Sequence, residues 1–362
     1  RLRRAINPLN DVSAYLAIRK ILRQLQPDVV HTHSAKGGIL GRLAAHSCIL
    51  RHREAFEAGR GDLDRCDSRL LRRPFGTPRN DNRARCRPAV VHTIHGLAFH
   101  PYQGKLLNKF YIAVEKAASG RTDAFISVAD AMTEQALAAG IGSAVQFVTA
   151  YSEIEEEAFL KAIPKDQRTE FRAKHGISAD AVVIVTVARL FELKGHDYII
   201  ESAKALSKRF DNCAWLFVGD GNLADTYKKQ VLELGLAGRI KFTGLLQPGE
   251  IPLAIQSSDI LVHCSLREGL ARTLPQAMLC ARPAVSFDVD GAREVVNQNT
   301  GRLVEPKNVR QLIEACAELI EDAQLRKKLG EQGRESVKEK FAPDTMVNRI
   351  EEVYDKLVGD RF

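Results

Sequence analysis

Residues 259–278, D-I-L-V-H-C-S-L-R-E-G-L-A-R-T-L-P-Q-A-M, decide the fold class of this chain. Asp259 to His263 is a short apolar run bounded by polar residues, the pattern of a strand buried on both faces. Arg267 to Met278 then reads as a turn passing into a helix, with Leu270, Leu274, Ala277 and Met278 as its apolar positions. A glutamate at a strand end (Glu268), then Gly269, then helix N–H groups without intrahelical partners make a place for an anionic, hydroxyl-rich ligand. Gln276 follows eight residues later, two helical turns on and near the same face, so the two polar side chains are spaced to grip one extended ligand. Any α/β protein has strand-to-helix turns with a polar residue, so the rest of the chain must decide between the two readings.

On either side of this stretch, strand and helix patterns alternate, which points to parallel α/β sheets. Before it come helical spacing over Asp11–Leu25, a strand at Asp28–Thr32, a helix over Ala35–Ala45, strands at Ala89–Thr93 and Ala124–Val128 with helices after each, and a strand at Val145–Thr149. Residues 151–181 are charged and read as a linker with a lead-in helix. A second alternation begins with the strand Val182–Val187 and runs through Trp215–Val218, Ile240–Thr243, Ile260–Val262 and Ala284–Phe287. Two doubly wound domains in tandem place a cleft between them, with ligands at the carboxyl ends of the strands. The last helix, after Pro343, puts Met346, Ile350, Val353, Tyr354 and Leu357 on one face. The expected division is 1–160, 161–340, and a C-terminal helix over 341–362 packing back on the N-terminal domain.

Composition narrows the function classes. The chain has 362 residues, enough for two ordinary domains. It has no run of eighteen apolar residues to cross a membrane, and its first residues lack the apolar region of a secretory signal. Seven scattered cysteines without a C-x-x-C pair suit a reducing compartment, so a cytoplasmic location is expected. Residues 51–90 hold eleven Arg and six Asp or Glu, so +5 of the net +8 sits there, and the high pI is no argument for a nucleic-acid partner. That region belongs to an irregular insertion, 49–88, which lacks a stable period. It reads as a disordered segment, a basic surface arm or a stretch translated in the wrong frame, with the first and last favoured.

Several polar clusters fall at strand ends. Arg189 and Lys194, in V-A-R-L-F-E-L-K-G-H, are two cations on one glycine-containing loop, suited to clamp a diphosphate. In the doubly wound order their strand should neighbour the Glu268 turn. Gly219-Asp220-Gly221-Asn222-Leu223-Ala224 matches G-x-G-x-x-A, but the strand about twenty residues on ends in Phe242-Thr243-Gly244, without the acid a nicotinamide cofactor's ribose needs. His31, His33, His92 and His95 gather at strand ends without a carboxylate or thiol partner at metal-ligand spacing, so no metal site is assigned. His95, at the tip of its strand before Gly96, suits cleft chemistry best. Asp288–Glu294 is either ligand-facing or an ordinary turn.

With these residues laid out, the chain resembles a retaining glycosyltransferase of family 4, of the GT-B fold, in which two Rossmann-like doubly wound α/β domains face a cleft. The motifs are A-R-L-F-E-L-K-G-H, L-F-V-G-D-G, F-T-G-L, S-D-I-L-V-H-C-S-L-R-E-G-L, A-R-P-A-V-S-F-D-V-D-G-A-R-E-V-V and G-R-L-V-E-P in the second domain, and H-T-H-S-A-K-G-G-I-L-G-R, V-H-T-I-H-G-L-A-F-H and I-S-V-A-D-A-M in the first. The resemblance implies that Glu268 opens an E-x7-E motif and contacts the donor sugar, and that Gln276 stands at the second position and faces the nucleotide ribose. It implies that Arg189 and Lys194 neutralise the donor diphosphate, that the backbone at Gly269 and Leu270 faces the phosphates, with Gly219 and Asp220 also on the donor side, and that His95 is the first-domain active-site histidine.

The implied reaction moves a sugar from a UDP- or GDP-linked donor, used as substrate and without a cofactor or metal, to a carbohydrate or lipid-linked acceptor. Surface polysaccharide or glycolipid synthesis is the expected setting, with peripheral contact at the inner membrane face left open. The resemblance also implies departures: a first domain entered part-way and therefore incomplete, the 49–88 stretch, and Glu153 where the family tends to have a hinge glycine. They keep a second reading in view, a catalytically impaired nucleotide-sugar-binding fragment of such an enzyme. An epimerase on the same fold would need cleft carboxylates that have no place in the sequence.

Overall fold

The structure is a computed structural model that describes residues 8–48 and 87–359. The chain divides into two compact units, Arg1–Tyr151 with Met346–Phe362, and Ser152–Thr345. The irregular stretch lies outside the described residues as far as residue 86.

The first unit is built from α1 (Pro8–Leu25), β1 (Val29–His33), α2 (Ala35–His46), β2 (Ala89–Ile94), α3 (Lys105–Ser119), β3 (Ala124–Ser127), α4 (Asp130–Ala138) and β4 (Phe147–Thr149). Its strands form a parallel sheet in the order β1-β2-β3-β4. Side chains alternate across β2 with the period of two that a strand imposes. Ala89 and Val91 join Ala124 and Ile126 in one cluster, whereas Val90 joins Leu22, Ala44 and Ala45 from α1 and α2. Val353 and Leu357 of the last helix complete the first cluster, with Met346, Ile350 and Tyr354 packed against it, which is the face the spacing of apolar residues picks out.

Buried charges fix the ends of these elements. Arg87, at the close of the irregular stretch, gives both guanidinium nitrogens to Asp123 at 2.6 and 3.0 Å, and Asp123 also accepts the N–H of Val90 at 2.9 Å. The wholly buried Arg42 of α2 pairs with Glu115 of α3 at 2.7 Å. Pairs like these are costly to break, because removing one partner strands a buried charge.

The second unit contains α5 (Glu156–Leu160), α6 (Lys165–Lys174), β5 (Val182–Val187), α7 (His196–Leu206), β6 (Cys213–Val218), α8 (Ala224–Glu233), β7 (Ile240–Gly244), α9 (Ile251–Gln256), β8 (Ile260–His263), α10 (Thr273–Leu279), β9 (Ala284–Phe287), β10 (Gly301–Val304), α11 (Val309–Glu321) and α12 (Ala323–Lys338). α13 (Pro343–Gly359) then runs into the first unit. The parallel sheet has the order β10-β9-β8-β5-β6-β7. The chain steps outward from β5 through β6 to β7, then returns to the other side of β5 at β8. This reversal makes the β5/β8 junction the topological switch point, the place at which open α/β sheets hold their ligands. Trp215, Phe217 and Phe287 are fully buried with Ile184, Ile199, Val285 and Leu312 on one face of the sheet, and Val183, Val185, Leu216 and Leu261 are buried on the other, so both faces are covered.

The division between units falls after Tyr151, not after residue 160, and residues 341–345 go with the second unit. The reason is packing: the carbonyl of Phe159 accepts Nε2 of Gln256 at 3.2 Å, and the N–H of Ile154 reaches the carbonyl of the buried Phe341 at 3.0 Å.

Candidate active site

Two loops meet at the switch point. After β8, the Leu266 N–H donates to the carbonyl of Leu193 at 2.8 Å, and the Ser265 hydroxyl donates to the same oxygen at 3.2 Å. Gly195 has φ +73, and a Cβ there would stand 2.0 Å from the carbonyl oxygen of Cys264. Only glycine allows that approach, and the approach brings Lys194 to Glu268. The two form an ion pair, Nζ to Oε1, with both side chains 20% exposed, sheltered yet open to a ligand. His263, the last residue of β8, places Nε2 3.4 Å from the same carboxylate oxygen. Burial pushes the Glu268 carboxyl upward, but the hydrogen bond and charge of His263, together with the Lys194 ammonium, outweigh it and hold the group down at about 2.

A third segment supports this loop from behind. Asp290, just past β9, accepts the backbone N–H of Glu268 at 2.6 Å, and the Gly291 N–H reaches the carbonyl of Gly269 at 3.3 Å. These tertiary bonds explain where the structure departs from the spacing argument. The segment does not coil into a helix at Glu268, because its N–H groups at Leu266 and Glu268 are drawn to Leu193 and Asp290. α10 begins only at Thr273. Gly269 and Leu270 therefore present loop N–H groups, not a helix N-terminus, and Glu268 and Gln276 are not two turns apart on one helical face. Gln276 lies half-buried inside α10.

The other donor-side residues join the same strand ends. Arg189 is exposed after β5, with its guanidinium 4.8 Å above the ring of Phe191. The Leu190 N–H donates to the carbonyl of Asp220, and the Leu223 N–H to that of Leu190, both at 3.0 Å. Gly219 has φ +139, and a Cβ would meet the carbonyl oxygen of Ala188 at 2.1 Å. The glycine of the G-x-G-x-x-A match thus serves close packing of the β6 loop on the Arg189 loop. Asp220 turns its carboxylate back to the N–H of Gly221 at 2.8 Å.

His95 lies in the first unit, one residue past β2 and exposed, with Nε2 3.1 Å from Nδ1 of His33. The His31 ring contacts the Tyr354 hydroxyl at 2.5 Å and the Thr93 hydroxyl at 2.7 Å. Burial, followed by the charges of His33 and His95, lowers its pKa to about 4. His92 is buried against the Thr32 hydroxyl at 2.9 Å and lowered to about 2, chiefly by burial. Both are hydrogen-bonded structural histidines. Among the described residues no three His, Cys, Asp or Glu side chains are grouped to hold a metal ion.

Sequence reasoning missed His263, which it counted only as a strand residue, and left the stretch holding Asp290 open between a ligand-facing segment and an ordinary turn. Neither carries a local signal, since their partners lie five and twenty-two residues away.

Comparison with known proteins fits this geometry. Residues 1–151 match the family model of the glycosyl transferase 4-like domain, and residues 167–336 that of glycosyl transferases group 1. A UDP-Gal:alpha-D-GlcNAc-diphosphoundecaprenol alpha-1,3-galactosyltransferase of Escherichia coli is 25% identical over 362 residues, 99% of this chain and 83% of that protein. A GDP-mannose-dependent alpha-(1-6)-phosphatidylinositol monomannoside mannosyltransferase of Mycobacterium tuberculosis is 28% identical over 201 residues, 53% of this chain and 51% of that protein. The crystal structure of Anabaena Alr3699/HepE in complex with UDP superposes with a TM-score of 0.74 at 20% identity, covering 94% of this chain and 81% of that one. Two parallel-sheet units of this kind define the GT-B fold. The chain belongs to the glycosyltransferases of GT4 type, enzymes that transfer a sugar from a nucleotide sugar.

Proposed function

We propose that this chain moves a sugar from a UDP- or GDP-linked donor to a carbohydrate or lipid-linked acceptor, with retention at the anomeric carbon, in the synthesis of a surface polysaccharide or glycolipid at the inner face of a membrane. The observation that carries the reading is the Lys194–Glu268 pair at the switch point of the second sheet. An ionised Glu268 only accepts hydrogen bonds, so it takes them from donor-sugar hydroxyls. Lys194 has three N–H donors; one serves Glu268, and the others reach the diphosphate.

Arg189, with the N–H groups of Gly269 and Leu270, shares in stabilising the departing diphosphate, and Gln276 takes the ribose. The bond between the anomeric carbon and the diphosphate oxygen breaks as the acceptor hydroxyl forms its new bond from the same face, and a phosphate oxygen receives the hydroxyl proton. His95 serves the transfer from the first unit. Two cations and the loop N–H groups neutralise the leaving group, so transfer needs no divalent cation.

The relatives support the donor and acceptor classes. The galactosyltransferase is named for a UDP-linked donor and a diphosphoundecaprenol-linked acceptor, and the HepE structure contains UDP. The mycobacterial relative is named for GDP-mannose and a phosphatidylinositol acceptor, which keeps both nucleotides in play. Titration calorimetry with UDP and GDP tests donor binding, and a folded sample that binds neither sinks the reading. A panel of nucleotide sugars in chelator, with product configuration read by NMR, tests the rest. An inverted product overturns retention, loss of turnover in chelator overturns metal independence, and binding without turnover on any donor favours the impaired fragment.

A further inference from the structure

We propose that His263 is a positioning residue for the transfer, holding the Glu268 carboxylate in place while Lys194 engages the donor diphosphate. His263 closes β8, which pairs with β5 on one side and β9 on the other. Its backbone is therefore fixed by the middle of the sheet, and a side chain carried on a strand is placed more firmly than one on a loop. His263 is 4% exposed. Nδ1 is buried and has no hydrogen-bond partner, while Nε2 stands 3.4 Å from Oε1 of Glu268. A side chain kept there for packing alone would be apolar, because a buried polar atom without a partner costs stability. Leucine would fill the place without stranding a nitrogen. The nitrogen that faces Glu268 accounts for the histidine.

Lys194 and His263 converge on one oxygen, Oε1. Among the described residues nothing donates to Oε2, which is left to the donor-sugar hydroxyls. Lys194 serves two partners, the carboxylate and the diphosphate, and the diphosphate carries the greater charge. When the ammonium turns to the diphosphate, Oε1 keeps the Nε2–H of His263. The 3.4 Å approach is long while Lys194 occupies the oxygen, and contacts of this kind tighten once substrate is bound. His196 of α7 and Asp290 past β9 stand beside the pair and do not replace it. His196 is held neutral, lowered to about 4 by burial and then by the charges of His263 and Lys194. Asp290 is an acceptor, engaged with the Glu268 N–H. The inference rests on the sugar-transfer reading of Glu268, while part of its test is independent of turnover.

The full chain is compared with His263→Leu, which removes the donor, and with His263→Gln, whose amide N–H takes the place of Nε2–H. With the nucleotide sugar that the wild type uses, His263→Leu is expected to lower kcat about ten- to a hundredfold, as loss of one hydrogen bond to a charged group does. The donor KM and the affinity for free nucleotide change little, and His263→Gln recovers most of kcat. Tm of the Leu variant stays level or rises, since the stranded Nδ1 is gone. A residue that only packs the strand end does the reverse, lowering Tm and leaving kcat per folded molecule unchanged. Carboxyl NMR of protein labelled with 13C-glutamate reads Glu268 directly, its signal assigned by Glu268→Gln. In His263→Leu that signal is expected to titrate at higher pH than in the wild type, because burial is then opposed by Lys194 alone. Unchanged kcat in His263→Leu, equal losses in the Leu and Gln variants, or a Glu268 titration that ignores the substitution overturns the proposal. A wild type without turnover on any donor overturns the sugar-transfer reading instead, and the carboxyl titration still decides whether His263 holds Glu268.

Discussion

The carboxylate of Asp290 accepts the backbone N–H of Glu268 at 2.6 Å, from a residue whose own φ is +48. Two demands meet at one position: a left-handed backbone, which Asp and Asn tolerate better than most residues, and an acceptor for a loop N–H. Asp290→Asn keeps both and is expected to lose little. Asp290→Gly relaxes the backbone but leaves the N–H without its partner, and is expected to cost about 1–3 kcal/mol and to lower kcat more than it raises KM. Thermal unfolding and steady-state kinetics check this; equal behaviour of the Asn and Gly variants would show that the bond has no role.

Lys194 and Glu268 should behave as a coupled pair. Glu268→Gln removes the charge that Lys194 and His263 stabilise, and is expected to lower kcat by about two to three orders of magnitude with the fold intact. Lys194→Met is expected to raise the donor KM about ten- to a hundredfold. The double variant should fall short of the product of the two losses, with a coupling of about 0.5–3 kcal/mol. Strictly additive losses would show that the ion pair does not persist in the working enzyme.

Gly195→Ala attacks the same contact through the backbone. The added Cβ meets the Cys264 carbonyl at 2.0 Å with φ at +73, so the loop must move. Destabilisation of about 2 kcal/mol or more is expected, with a weakened nucleotide affinity as Lys194 shifts. Chemical denaturation and nucleotide titration read the two effects separately, and an unchanged variant in both would sink the argument.

Acid stability follows from the buried histidines. His196 is fully buried, edge-on to Phe217 and beside Tyr227, and its pKa is lowered to about 4 by burial and then by His263 and Lys194. With His31 at about 4 and His92 at about 2, these rings stay neutral in the fold while the unfolded chain takes up protons near 6.5. Stability is therefore complete above about pH 6.5 and declines as pH falls toward 4. Glu268 adds a later loss, since its depressed carboxyl stabilises the fold above about pH 4.5 and that contribution disappears as pH falls toward 2. His196→Leu, which replaces a ring lacking hydrogen-bond partners at both nitrogens, is expected to flatten the slope between pH 6.5 and 4. Tm measured against pH checks this, and an unchanged slope would remove His196 from the account.

Much of the second unit was legible because a buried parallel strand announces itself as a short apolar run, as in Val182–Val187 and Trp215–Leu216-Phe217-Val218. The pairing of β5 with β8, and hence the meeting of their loops, followed from the doubly wound order. The helix expected from Glu268 onward was the main error. Its apolar spacing is helical, but hydrogen bonds donated by the Leu266 and Glu268 N–H groups to the Leu193 carbonyl and the Asp290 carboxylate hold the first part of the segment as a loop. The boundary between units was misplaced for a similar reason, because the charged surface of α5 hides the burial of Phe159.

What the sequence by itself determined was the α/β class, the positions of most strands and helices, and the residue types gathered at the strand ends, since periodicity and turn chemistry act over a few neighbouring residues. Only the tertiary structure decided that Glu268 stands between Lys194 and His263 and that Asp290 holds its backbone. Those are relations between segments brought together by strand order and packing, and no local pattern encodes the distance between them.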